Sequence, residues 1–146
     1  MIKLKTFGSF TVGNGLTSVQ EGAWRSEKLE KLFVYLAMNR NRGVCIEDIS
    51  EAIWQVEEET DNPVGALKNL AYRLRKALRD ASFGEECIVS VRGGLYKWND
   101  DVEVTIDVEE FDRYINEAEM AFCRSKETAI ESYEKAIALY HGDFLP

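Results

Sequence analysis

Hydrophobic and polar positions alternate from the start of the chain. Ile2 and Leu4 are interleaved with Lys3 and Lys5, Thr6-Phe7 continues the run, and Gly8 breaks it. Phe10 and Val12 resume the period before Gly13-Asn14-Gly15 ends it. A period of two puts one side of a strand on a core, and Asn-Gly favours a tight hairpin because both residues tolerate positive φ. Residues 2–19 are therefore expected to form a small antiparallel sheet, with Leu16–Val19 as its third strand.

The period then becomes helical. Ser26 suits a helix N-cap, and Leu29, Leu32, Phe33, Leu36 and Ala37 fall on one face before Asn39–Gly43 ends the pattern. Ile46, Ile49 and Ile53 predict a second, short helix. Its Glu47, Asp48, Ser50 and Glu51 face water, and Trp54 closes it. An acidic loop, Gln55–Asp61, follows. Asn62-Pro63 reads as an N-cap with proline at the first helical position. From there to Asp80, Leu67, Leu70, Ala71, Leu74 and Leu78 make one apolar stripe. Lys68, Asn69, Tyr72, Arg73, Lys76 and Arg79 lie on the other side, with Arg75 on a flank. Phe83–Glu86 is a loop. Cys87–Val91 and Leu95–Trp98 read as paired strands, with Arg92 and Gly93-Gly94 as the tight turn between them.

Near Asp100 the pattern changes again. Asp107 and Glu110 stand three apart, like a capping box with aspartate in the serine place. Phe111, Tyr114, Ile115, Ala118 and Phe122 predict one amphipathic helix. Ala129, Ile130, Tyr133, Ala136, Ile137 and Tyr140 predict another, with Gly142 at its C-cap. This pair looks like one unit of a helical repeat, which cannot bury its apolar face alone. The expected domains are thus 1–100 and 101–146, the second being the first helices of a longer helical domain.

Composition bounds what this plan can do. The chain has 146 residues and is 45% hydrophobic, enough for one cored domain plus part of another. No apolar run approaches the roughly 20 residues of a membrane span, and the N-terminus has no signal-peptide pattern. Cys45, Cys87 and Cys123 are odd in number and far apart, which points to reduced thiols of a cytoplasmic protein rather than disulfides or zinc. An enzyme is disfavoured. The single histidine, His141, adjoins a helix-ending glycine; no glycine-rich phosphate loop is present; the carboxylates sit on polar faces. No cofactor or metal is expected. Trp24, Trp54 and Trp98 are well separated, as core or interface residues would be.

Charge changes the picture most. The net charge of −8 argues against nucleic acid, but residues 62–99 carry 7 Lys+Arg against 3 Asp+Glu, whereas residues 100–146 carry 4 against 13. Salt screens charge beyond about 8–10 Å, so the local excess is what a phosphate meets. Five cations from Lys68 to Arg79, with no acid among them, depart from the mixed signs of an ordinary surface. Small sheet, two helices, a basic amphipathic helix and a β-hairpin with arginine at its turn is the winged-helix order. The basic helix fits a major groove about 12 Å wide, where Arg grips guanine and Asn grips adenine. Tyr72 can reach a phosphate, and Arg92 a minor groove. A second reading is a protein-interaction module with a degenerate winged helix that does not bind DNA. RNA binding is weaker, because no aromatic stacking pair on a sheet is evident.

Leu74-Arg75-Lys76-Ala77-Leu78 and Val91-Arg92-Gly93-Gly94-Leu95-Tyr96 resemble the recognition helix and wing of OmpR-type domains. Ala136–Pro146, with its Tyr140-His141-Gly142-Asp143-Phe144-Leu145-Pro146 ending, looks like the bacterial transcriptional activator domain. In this order the two resemble the Streptomyces antibiotic regulatory proteins, including relatives that carry a receiver domain and so serve as phosphorelay outputs. The resemblance implies an α+β fold: an OmpR-like winged helix followed by a helical, TPR-like segment. It implies a cytoplasmic, nucleoid-bound transcription activator that binds direct repeats in double-stranded DNA, self-associates on them and contacts RNA polymerase. By position, Asn69 and Arg73 would read bases, Tyr72, Arg75 and Lys76 would touch phosphates, and Arg92 would enter the minor groove. Lys68 and Arg79 complete the basic face. Glu57, Glu58 and Glu59 occupy the place of the transactivation loop, where they suit a basic polymerase surface or plain solvent equally. The domain is less basic than that of a strong autonomous binder.

Overall fold

A computed structural model describes residues 1–15, 17–53, 63–81, 87–91, 95–122 and 124–145. Three strands open the chain: β1 (Ile2–Lys5), β2 (Thr11–Gly13) and β3 (Ser18–Val19). β1 and β2 are antiparallel, with Leu4 opposite Val12, and β2 and β3 are antiparallel, with Val12 opposite Val19. The alternation does what its period demands: Ile2, Leu4, Val12 and Val19 are buried, while Lys3 and Lys5 are exposed.

The sheet has a fourth strand that the opening residues do not announce. β6 (Val104–Ile106) lies parallel to β1, with Leu4 opposite Ile106, so the order is β3-β2-β1-β6. The sheet is therefore mixed rather than purely antiparallel. A residue just beyond position 100 thus belongs to the same sheet as residue 2.

Helix α1 (Glu27–Met38) begins where expected. The Ser26 Oγ accepts from the Leu29 amide at 3.3 Å, which satisfies one of the first-turn donors that no carbonyl reaches. Leu29, Leu32, Phe33, Leu36 and Ala37 are all buried on its inner face. Ser26→Ala is expected to cost about 1 kcal/mol. This would be read as a lower urea midpoint at unchanged m value; an unmoved midpoint would show the cap to be neutral.

Helix α2 (Ile46–Ile53) buries Ile49 and Ile53, and α3 (Pro63–Asp80) buries Leu67, Leu70, Ala71, Leu74 and Leu78. Strands β4 (Ile88–Val91) and β5 (Leu95–Trp98) pair antiparallel, with Ile88 opposite Trp98 and Val91 opposite Leu95. Core side chains come from the N-terminal sheet, all three helices and this hairpin together. Phe33 and Trp98 meet edge to face at 5.2 Å, and the Trp98 Nε1 donates to the Val102 carbonyl at 2.8 Å. Trp24 packs beside this core against Phe10 and Phe33. Cys45 is half-buried and Cys87 buried; Trp54 and Cys123 lie outside the described residues.

Helices α4 (Asp107–Phe122) and α5 (Lys126–Leu139) form a hairpin whose buried residues, among those described and apart from Asp107 at its start, are small: Ala118, Ala129, Ser132 and Ala136. Small side chains let two helix backbones approach closely. Ser125 caps α5 by accepting from the Thr128 amide at 3.4 Å. Two local expectations change. Asp107 does not close a capping box. Its carboxylate accepts from the Val108 amide at 2.9 Å and otherwise turns outward, to Thr6 and Phe7. Gly142 is not the helix cap either, because α5 ends at Leu139 and Tyr140 takes the cap position in an extended conformation. No described helix is long and apolar enough to cross a membrane.

Candidate nucleic-acid interface

The 18 residues of α3 have their sides set by spacing alone. At 100° per residue the five buried apolar positions share one side. The polar positions from Lys68 to Arg79 fill an arc of roughly 140° on the opposite side. Lys68, Asn69, Tyr72, Arg73, Lys76 and Arg79 are all exposed, Tyr72 at 58%. Arg75 is half-buried at the flank, which leaves its guanidinium less free to leave the protein than the others. The structure thus brings seven of the eight sequence-derived DNA-binding candidates onto one helix, six of them on its outer face.

The electrostatics of this face are simple. Among the described residues no ion pair engages Lys68, Arg73, Lys76 or Arg79. Arg40 pairs with Glu109, Arg42 with Asp48 and Lys97 with Asp100, all away from this face. The α3 face therefore presents uncompensated positive charge on a rod that its apolar stripe fixes to α1 and α2.

The hairpin beside it is anchored at its base. Val44, just before α2, exchanges backbone hydrogen bonds with Tyr96, amide to carbonyl in both directions at 2.7 and 3.0 Å. This single bridge ties β5 to the residue that leads into α2. Tyr96 and Trp98 point into the protein and are buried, while Leu95 and Lys97 are half-buried. The Asn99 amide closes the base by donating to the Cys87 carbonyl at 2.7 Å. Arg92, the expected minor-groove residue, lies outside the described residues, as do Glu57, Glu58 and Glu59 of the acidic loop. Sequence reasoning did not find Val44 in this arrangement, and a single bridging residue carries no periodic signal.

A three-helix core with a basic outer helix, flanked by a sheet and an anchored β-hairpin, defines a winged helix of the transcription-regulator class. Residues 21–98 match the family described as transcriptional regulatory protein, C terminal. That match spans more than half of the chain, and the chain belongs to this family. Among solved structures, the chain is similar to Mycobacterium tuberculosis EmbR, seen in complex with a low affinity phosphopeptide. The TM-score is 0.74 at 20% identity, over 99% of this chain and 37% of that one. At that identity the likeness speaks for the fold: an OmpR-type winged helix followed by a helical segment, the arrangement expected from the resemblance to the Streptomyces antibiotic regulatory proteins. The chain spans little more than a third of the EmbR chain it matches. No curated protein matches the chain.

Proposed function

We propose that this regulator binds double-stranded DNA in a sequence-specific manner. α3 would lie in the major groove and the 88–98 hairpin along the adjacent minor groove. The observation that carries the reading is the outer face of α3, where exposed cations, an amide and a phenol share one side with no acid between them. Asn69 and Arg73 then read bases by paired hydrogen bonds, and Lys68, Tyr72, Lys76 and Arg79 hold phosphates. Arg75 contacts phosphate from the flank, and Arg92 reaches the minor groove. The chain acts as an activator in the cytoplasm at the nucleoid. It pairs side by side on direct repeats and presents Glu57, Glu58 and Glu59 to RNA polymerase. The winged helix, with its sheet closed by β6, is the reading unit, and α4 and α5 form a helical unit beside it.

Enrichment of the chain on a pool of random duplexes, sequenced at two salt concentrations, tests this. Recovery of a repeated motif whose binding weakens steeply with salt is the expected result. Recovery of no motif at either salt would overturn it in favour of a protein-interaction module.

A further inference from the structure

Thr6, Phe7 and Gly8 direct nearly all their interactions away from their own sheet. The Asp107 carboxylate, only 8% exposed, accepts from the Thr6 amide at 3.0 and 2.9 Å, the Thr6 hydroxyl at 2.7 Å and the Phe7 amide at 3.0 Å. The Thr6 carbonyl accepts from Leu145, and the Gly8 amide donates to Asp143, both at 2.8 Å. The Phe7 ring packs on Phe111 of α4 at 5.5 Å and on Tyr140, just after α5, at 5.3 Å. Three consecutive residues are thus gripped by both ends of the helical hairpin, by Asp107 where it starts and by Asp143–Leu145 where it finishes.

The crossing at the second grip needs two glycines. A Cβ on Gly8, at φ +80, would fall 2.5 Å from the His141 carbonyl oxygen; one on Gly142 would fall 2.8 Å from the Gly8 Cα. Both distances are closer than carbon and oxygen atoms can approach without backbone movement. Apart from this grip the hairpin is lightly attached. Among the described hydrophobic residues beyond Ile106, only Val108 and Leu145 pack against the main core, and the buried alanines of α4 and α5 lie outside it. One ion pair adds to this: Arg40, after α1, meets Glu109 through two hydrogen bonds at 2.8 and 2.6 Å. Each partner is about a third exposed, where such pairs contribute little.

We infer that Thr6–Gly8 is a two-footed latch: it holds the α4–α5 hairpin on the winged helix and releases it as a unit while the winged helix stays folded. The core belongs to the winged helix, and among the described residues the hairpin buries, Asp107 of the grip apart, only small ones, so the two parts form separate cooperative units. Ile130 and Ile137 of α5 are 55% and 69% exposed, and they ride on the unit that the latch controls. The latch itself does not depend on DNA binding.

Hydrogen exchange of the whole chain, read by mass spectrometry without DNA, tests this. In the wild type, amides of α4 and α5 are expected to exchange about tenfold or more faster than central amides of α1 and α3. Gly8→Ala is expected to raise exchange across 107–145 by a further tenfold or so while leaving α1 and α3 unchanged. Thr6→Val, a milder change that removes only the hydroxyl donor, should give the same pattern at roughly threefold. An equal rise in the winged helix and the hairpin, or exchange of the wild-type hairpin in step with α1, would overturn the latch.

Discussion

Trp98→Ala is expected to remove about 3–5 kcal/mol of unfolding free energy. The indole is 1% exposed and sits where the hairpin meets α1. Removing it vacates the space beside Phe33 and leaves the Val102 carbonyl without its donor. Trp98 also ends β5, which Val44 ties to the start of α2, so the void opens between the hairpin and the helices it braces. A domain of this size holds only about 5–15 kcal/mol in total, so the variant should be substantially unfolded at moderate temperature. Urea denaturation measures it. Trp98→Phe separates the two causes, because it keeps a ring against Phe33 and loses the hydrogen bond to Val102, for an expected cost of about 1–2 kcal/mol. A loss below about 1.5 kcal/mol for Trp98→Ala would mean that the site collapses around the missing ring.

The helices were legible because burial and periodicity are the same fact seen twice. Every residue of the apolar stripe in α3 is buried, and every residue assigned to its polar face apart from the flanking Arg75 is exposed. Ser26 was legible for an equally local reason, since a hydroxyl three residues before an amide in a forming helix has one obvious use. What sequence reading missed was long-range. β6 is three residues long, and its partner lies some hundred residues away, so no window along the chain contains both. Val104-Thr105-Ile106 is a β-branched run, and that composition was the one available sign of a strand. Asp107 was read by its spacing to Glu110, a local rule, whereas its acceptors serve Thr6 and Phe7, which only the closed sheet brings near. Gly142 followed the same course: a glycine after a helix suggests a cap, but here it provides clearance for Gly8. The basic face of α3 needed no such closure, and so the candidate site was more legible than the sheet beside it.

On DNA carrying its own motif, Arg73→Ala is expected to weaken binding by about 1–3 kcal/mol, roughly 5- to 150-fold, while binding to unrelated duplexes changes little. The double substitution Lys68→Ala with Arg79→Ala should behave in the opposite way. Each lost phosphate contact removes about 0.9 from the slope of log affinity against log salt. The double variant should therefore lose nearly two units of slope and weaken on every sequence alike. The contrast follows from position on one helix. Asn69 and Arg73 stand on one edge of the exposed arc, and Lys68, Tyr72 and Arg79 on the other, so a groove-bound helix cannot give both sets the same role. None of these side chains is buried in the core, so the variants should unfold at the wild-type urea midpoint, and a lost affinity reports on the interface. If Arg73→Ala weakens all duplexes equally, its guanidinium holds phosphate, and base reading falls to Asn69 and the hairpin. If neither variant alters binding, the cations of α3 do not face DNA, and the chain regulates transcription through a protein partner.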